Sequence, residues 1–370
     1  MSKPKRILVA PLNWGLGHAT RCIPIVRGLL ENGYQAGLAS DGVALALLKR
    51  EFPELPTHEL PSYDITYASK GSLFKWKMIA DSPKVLKAIK GERKVIAEVV
   101  ERGGYTGLIS DNRLGCFSEQ VTSIFISHQL NVLSGSTTRF SSWWHQRIIA
   151  QFAECWVPDF EGDKNLTGRL GHLNHDRLNL KYMGPLSRFE RRDLPIRYDL
   201  MVLLSGPEPQ RTLLEKKLLQ ELKGYSGRVL FVSGQIQDEP KTETLELSGG
   251  EGIRYNFMTS DQLEEALNQS RLVLSRSGYT TVMDLAKLGK RAFFIPTPGQ
   301  YEQVYLAERL QEQGWVPYCT QEEFDLGQLD RVDAFEGLSV FQSEVPFESL
   351  FSAFSIVNEN SDPTSSSLST

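Results

Sequence analysis

Three short stretches bring together side chains able to do chemistry. In "NWGLGHATR" (13–21), Gly15, Gly17 and His18 stand directly after the apolar run "RILVAP". A histidine titrates near neutrality and can take a proton from a hydroxyl. The glycines let backbone approach a ligand at a helix N-terminus, which favours negative charge. The second stretch, "SRSGYTTVMD" (275–284), sets Arg276, Ser277, Gly278, Thr280 and Thr281 behind the apolar run "RLVLS". Its N–H groups and hydroxyls suit a diphosphate, with charge from Arg276. Asp284, one turn into the following helix, can accept two hydrogen bonds from a ribose diol. The third, "PTPGQYEQ" (296–303), puts Gln300, Glu302 and Gln303 at the next helix start, where polar forks suit several sugar hydroxyls.

Further candidates occupy similar corners: Asp111 after "YTGLIS", His128 and Gln129 in "ISHQLN", and Ser205 closing "DLMVLLS". Each has an ordinary reading as well. His18, Asp111, Ser277 and Thr280 could cap helices, and Asp284 could be a solvated helix residue. Their order on successive strand-to-helix corners favours a nucleotide-sugar site.

The elements that must hold these residues alternate along the whole chain. Strands are expected at "RILVAPL", 34–40, 105–110, 123–127 and 154–158, then at 199–205, 228–234, 271–275 and 291–296. Helices are expected over 18–32, with Ile23, Val26, Leu29 and Leu30 on one face, and over 42–50, 210–222, 261–268, 280–288 and 302–313. This predicts an α/β protein with two doubly wound parallel-sheet domains facing across a cleft, where ligands bind at the carboxyl ends of strands. Periodicity fails in "MGPLSRFERRDLPIRYD". The predicted division is a first domain over 1–184, a linker over 185–198, a second domain over 199–345, a C-terminal helix over 346–358 and a disordered polar tail over 359–370.

Composition narrows the classes. The chain has 370 residues and a net charge of −4, from 41 Lys+Arg against 45 Asp+Glu, so no basic excess points to nucleic acid. Cys22, Cys116, Cys155 and Cys319 form no CxxC pair, which argues against a disulfide framework or zinc site. The apolar run before Pro11 is too short for a signal-peptide core, and no run is long enough to span a bilayer. A cytoplasmic protein is expected. The dinucleotide fingerprint G-x-G-x-x-G stops at Gly17, since Thr20 stands at the third glycine, which disfavours a dehydrogenase despite Asp41 after the second strand.

The segment 271–310 resembles the donor-binding region of GT-B glycosyltransferases, especially family 28. "SRSGYTTVMD" is similar to that family's R-S-G-x-x-T-x-x-E pattern, with Asp284 one methylene shorter than the usual glutamate, and "QYEQ" resembles its sugar-binding corner, carried to Glu302 and Gln303. "GLGH" resembles the family's glycine-rich loop. "ISHQLN" resembles its His-Glu-Gln-Asn stretch, with Gln129 and Leu130 replacing the acid and the amide, and marks His128 and Gln129 as acceptor-side residues.

The resemblance implies an inverting transferase that uses a nucleotide sugar, a UDP-sugar by preference. His18 would be the base and Asp111 its orienting carboxylate, as in the plant-type dyad. Metal-dependent relatives carry Asp-x-Asp, and here only "DFE" (159–161) comes near, so neither metal nor other cofactor is expected. The acceptor is open. "GSLFKWKMIADSPKVLKAIKGERK" (71–94) and "RFSSWWHQR" (139–147) mix aromatic and basic side chains in a way that suits an anionic membrane surface and a lipid-linked acceptor, or else pack as core helices. A hydrolase or 2-epimerase on the same fold, and a non-catalytic nucleotide-sugar-binding protein, remain the alternatives.

Overall fold

The computed structural model describes residues 4–14, 16–63, 71–133, 137–235 and 240–355, with 71–85 given as helix backbone. The first domain runs β1 (Arg6–Pro11), α1 (Gly17–Glu31), β2 (Gln35–Ser40), α2 (Gly42–Glu51) and β3 (Thr57–Glu59). It continues with α3 (Gly71–Gly103), β4 (Gly107–Asp111), β5 (Thr122–Ile126), α4 (Thr138–Ile149), β6 (Glu154–Val157) and β7 (Leu180–Tyr182). In the second domain β8 (Tyr198–Leu203), α5 (Gln210–Glu221), β9 (Arg228–Val232), β10 (Thr242–Leu245) and β11 (Glu251–Tyr255) come first. After them lie α6 (Ser260–Asn268), β12 (Ser270–Ser275), α7 (Tyr279–Lys287), β13 (Arg291–Phe294), α8 (Tyr301–Glu312) and α9 (Phe347–Phe351).

The first sheet is wholly parallel, in the order β3-β2-β1-β4-β5-β6-β7. The second runs β10-β11-β9-β8-β12-β13, and only the β10–β11 pair is antiparallel. Helices cover both faces of each sheet, which is why its central strands are apolar throughout instead of alternating. In each sheet the winding reverses beside the first strand: β2 and β4 flank β1, and β9 and β12 flank β8. Crevices open at such reversals. The first crevice takes the turn after β1 together with the end of β4, where Pro11 pairs with Asp111. At the second, Ser205 follows β8 and the 275–278 turn follows β12.

Local chemistry sets α1. Ile23, Val26 and Leu29 are fully buried, while Leu30, expected on that face, turns outward. The helix stops where Gly33, at φ +79°, donates to the Leu30 carbonyl and Tyr34 donates to the Leu29 carbonyl, a left-handed cap that glycine adopts without strain. Helix α7 begins at Tyr279, one residue before its expected start. The stretch between domains is irregular, with Leu186, Ser187 and Phe189 buried and 190–193 and 195–197 exposed.

Helix α9 crosses back to the first domain. Phe347, Leu350, Phe351 and Phe354 join a core with Ile23, Val26 and Trp156, and Tyr34 Oη donates to the Phe351 carbonyl at 3.1 Å. A Cβ on Gly28 would come within 2.7 Å of the Phe347 ring. The return should therefore stabilise the first domain. Phe351→Ala should cost about 3–5 kcal/mol, read as a lowered midpoint of urea unfolding followed by tryptophan fluorescence.

Candidate active site

The turn after β1 and the end of β4 meet over one buried carboxylate. Asp111, on the last position of β4, is sealed from solvent. Its Oδ2 accepts from Arg21 Nε at 2.5 Å, its Oδ1 accepts from Arg21 Nη2, and Cys22 Sγ lies 3.6 Å from Oδ2. His18, in the first turn of α1 and 9% exposed, places Nδ1 at 3.1 Å from Asp111 Oδ1 and 2.7 Å from Arg21 Nη2. Burial would raise the Asp111 pKa, but the charges and hydrogen bonds of Arg21 and His18 outweigh it and hold the carboxyl well below the usual range. For His18, burial and the Arg21 charge together outweigh the attraction of Asp111 and lower the pKa, so the neutral ring is favoured.

The arrangement extends across the cleft. Arg21 Nη1 lies 2.9 Å from Nδ1 of His128, whose Nε2 faces Glu302 Oε1 at 3.4 Å. Gln129 Nε2 donates to the other Glu302 oxygen. Tyr279, first residue of α7, stacks on His128 with ring centroids 3.8 Å apart and donates its hydroxyl to the Pro158 carbonyl. Thr280 comes so close to α1 that a Cβ on Gly17 would meet its Oγ1 at 2.7 Å, which explains a glycine there. Farther out, Asn165 accepts from Arg309 on α8 through both its backbone and side-chain oxygens, each at 3.0 Å, and the Arg169 amide donates to Tyr305 Oη at 2.9 Å.

Helix ends supply the rest. Among the described residues the N-termini of α1, α7 and α8 have no side-chain cap, whereas α6 has a full capping box from Thr259 and Gln262. Uncapped N–H groups of α1 and α7, meeting at Gly17 and Thr280, make a place for an anion. Thr281 and Gln300 lie half-buried at the starts of α7 and α8, and Gly278 is the N-cap of α7. Ser205 is exposed beside Gly206, whose φ of +104° needs glycine.

Three predicted residues are used differently. Arg276, expected to answer diphosphate charge, is 1% exposed and donates to the carbonyls of Ile295, Pro296 and Gln210 and to Gln321 Oε1, all between 2.8 and 3.1 Å. It braces the loops from behind. Ser277 Oγ donates to the Gln303 carbonyl at 2.7 Å, and Gln303 Oε1 accepts from the Thr297 amide at 2.8 Å, so these two side chains join the β12–α7 and β13–α8 corners.

Asp284 sits beneath the linker, its Oδ1 accepting from Ser187 Oγ at 2.5 Å. Loss of hydration, against the Ser187 bond and the Arg188 charge, pushes its carboxyl up to about 6. Arg188 Nε has no hydrogen-bond partner among the described residues, which leaves a cation beside the carboxylate. Neither Arg188 nor Arg21 stood out in the sequence. The i, i+3 spacing of His18 and Arg21 on one helix face was the available signal for the second.

On α4, Phe140 and Trp143 are 70% and 54% exposed, their rings 6.2 Å apart, and the Arg147 guanidinium lies 5.8 Å from the Trp143 ring. Trp144 is half-buried. Of the 71–94 stretch, the side chains of 71–85, Lys75 and Lys77 among them, lie outside the described residues. No helix among the described residues is long and apolar enough to cross a membrane.

Residues 210–352 match the model of the glycosyltransferase family 28 C-terminal domain. Over 329 residues the chain is 24% identical to the UDP-N-acetylglucosamine–N-acetylmuramyl-(pentapeptide) pyrophosphoryl-undecaprenol N-acetylglucosamine transferase of Actinobacillus pleuropneumoniae serotype 5b, covering 86% of each. The fold is that of MurG from Acinetobacter baumannii, with a TM-score of 0.61 at 13% identity over 95% of this chain and 99% of that one. It is equally that of the kitacinnamycin glycosyltransferase, with a TM-score of 0.63 at 14% identity over 96% of both chains.

If Asp284 holds a ribose diol, protonation removes an acceptor. UDP affinity measured by calorimetry should then fall as pH drops through about 6. Asp284→Ala should weaken binding by about 1–3 kcal/mol and flatten that dependence.

Proposed function

We propose that this chain, a family 28-type glycosyltransferase on the GT-B fold, transfers a sugar from a UDP-sugar to a lipid-linked acceptor hydroxyl, with inversion and without a metal. The observation that carries the reading is the meeting of His18, Arg21 and Asp111 with Thr280 and Glu302 across one cleft. One side holds the candidate base and the other an anion site beside sugar-binding forks.

The acceptor hydroxyl attacks the anomeric carbon opposite the leaving diphosphate. The new C–O bond forms as the C–O bond to phosphate breaks, and the hydroxyl proton passes to His18 Nε2 in the tautomer that carries its other proton on Nδ1, facing Asp111. The α7 N-terminus answers the charge left on the diphosphate. Asp284 takes the ribose. Glu302 and Gln303 take sugar hydroxyls, exchanging their present contacts with His128, Gln129 and the Thr297 amide for the donor.

Support for a lipid-linked acceptor comes from the named substrate of the Actinobacillus relative and from the α4 face. There Phe140 and Trp143 stand beside exposed Arg139 and Arg147, with no carboxylate on the helix. Aromatic rings with flanking cations suit an anionic bilayer surface.

His18→Ala should lose about 10²–10⁴ in turnover of labelled UDP-sugar while still binding UDP. Wild-type turnover in that variant would move the base elsewhere. EDTA should leave the rate unchanged, and inhibition reversed by Mn²⁺ would refute the metal-free reaction. Free sugar released at full rate without acceptor would make the enzyme a hydrolase.

The protein should co-sediment with phosphatidylglycerol vesicles at low salt and be released as salt rises, and Phe140→Ser with Trp143→Ser should abolish the association. Protein left in the supernatant at low salt would favour a soluble acceptor.

A further inference from the structure

We infer that Arg21 is a positioning residue that fixes the tautomer of both cleft histidines, holding the ring proton of His18 and of His128 on Nε2. Its meaning for turnover rests on His18 being the base; the hydrogen-bond assignment does not.

A guanidinium carries five N–H donors, has no acceptor, and stays protonated. In Arg21, Nε and one Nη2 hydrogen go to the two oxygens of Asp111. The second Nη2 hydrogen faces His18 Nδ1 at 2.7 Å, and Nη1 faces His128 Nδ1 at 2.9 Å. A ring nitrogen at that distance from an obligate donor must accept, so the proton of each neutral ring lies on Nε2. His128 agrees, because its Nε2 faces the Glu302 carboxylate, which calls for a donor.

His18 Nδ1 is contested. Asp111 Oδ1, 3.1 Å away, would call for a proton on the nitrogen that Arg21 requires bare. The Arg21 contact is the shorter, and both Asp111 oxygens already receive a guanidinium N–H. A proton on Nδ1 would also point at the Arg21 N–H. The other titratable groups around this point are Cys22 on α1, Tyr279 on α7, and Glu302 on α8; none lies within hydrogen-bond reach of His18 Nδ1.

The resting His18 thus offers the cleft a donor. To accept a proton on Nε2, the ring must first pass the one it holds there to solvent and take one from solvent on Nδ1, facing Asp111, while Arg21 withdraws its hydrogen from Nδ1. Arg21 keeps the base idle until that contact is released.

Long-range ¹H–¹⁵N correlation spectra of the ligand-free full chain, above the pH at which both rings titrate, read the tautomers directly. Wild type should show bare Nδ1 and protonated Nε2 on His18 and His128. Asp111→Asn should leave the His18 tautomer unchanged, because Arg21 still donates. Arg21→Met should move the His18 proton to Nδ1 and raise its NMR-titrated pKa by about one unit or more, with Asp111 as its remaining charged partner.

Protonated Nδ1 on His18 in wild type, or a switch of tautomer in Asp111→Asn, overturns the inference. Should Arg21→Met fail to fold with Asp111 stranded, those two spectra still decide it. A protein with the expected spectra and no transferase turnover would refute the proposed reaction and leave the tautomer assignment standing.

Discussion

A carboxylate sealed from water is tolerated when its charge is answered at hydrogen-bond distance, and Asp111 at the end of β4 is answered by Arg21 from α1. Truncating either partner would leave an uncompensated buried charge, at a cost of about 3–5 kcal/mol. The pair therefore fixes how α1 is rotated over the sheet. His18, one turn earlier on the same helix face, follows that rotation to the cleft edge. Through His128 the same guanidinium reaches toward Glu302 of the second domain, so a local charge requirement aligns groups from four elements.

The corner at the start of α8 is likewise not the property of the second domain alone. Asp159, fully buried after β6, accepts from the amides of Phe160, Leu166 and Thr167, which shapes the loop so that Asn165 and Arg169 grip Arg309 and Tyr305. Helix α8 is held from the first domain at its middle, and His128 and Gln129 hold its first turn. Glu302 and Gln303 are thus placed by contacts from both sides of the cleft.

Much of this was legible in the chain, and what was not has physical causes. All nine expected strands form, because buried parallel strands read as unbroken apolar runs. The strands not foreseen are β3, β7, β10 and β11, whose half-buried or exposed residues leave no such run. The corners could be located because strand ends and helix starts are local features. Which corner side chains face the cleft could not, since Arg276 and Asp284 differ by the company that distant segments give them: loop carbonyls surround one, and a linker serine meets the other. Arg21 had no signal apart from its spacing to His18. Its role depends on Asp111, 90 residues away.

The return of α9 orders events in time as well as space. During synthesis β1 to β7 leave the ribosome with Ile23, Val26 and Trp156 lacking the rings of Phe351 and Phe354 that cover them. Those rings follow only after the whole second domain has been made. Contacts so distant in sequence form late and slowly. The first domain, made first, is thus completed last, and until residues 347–354 arrive its open core is surface that a chaperone, or another nascent chain, can bind.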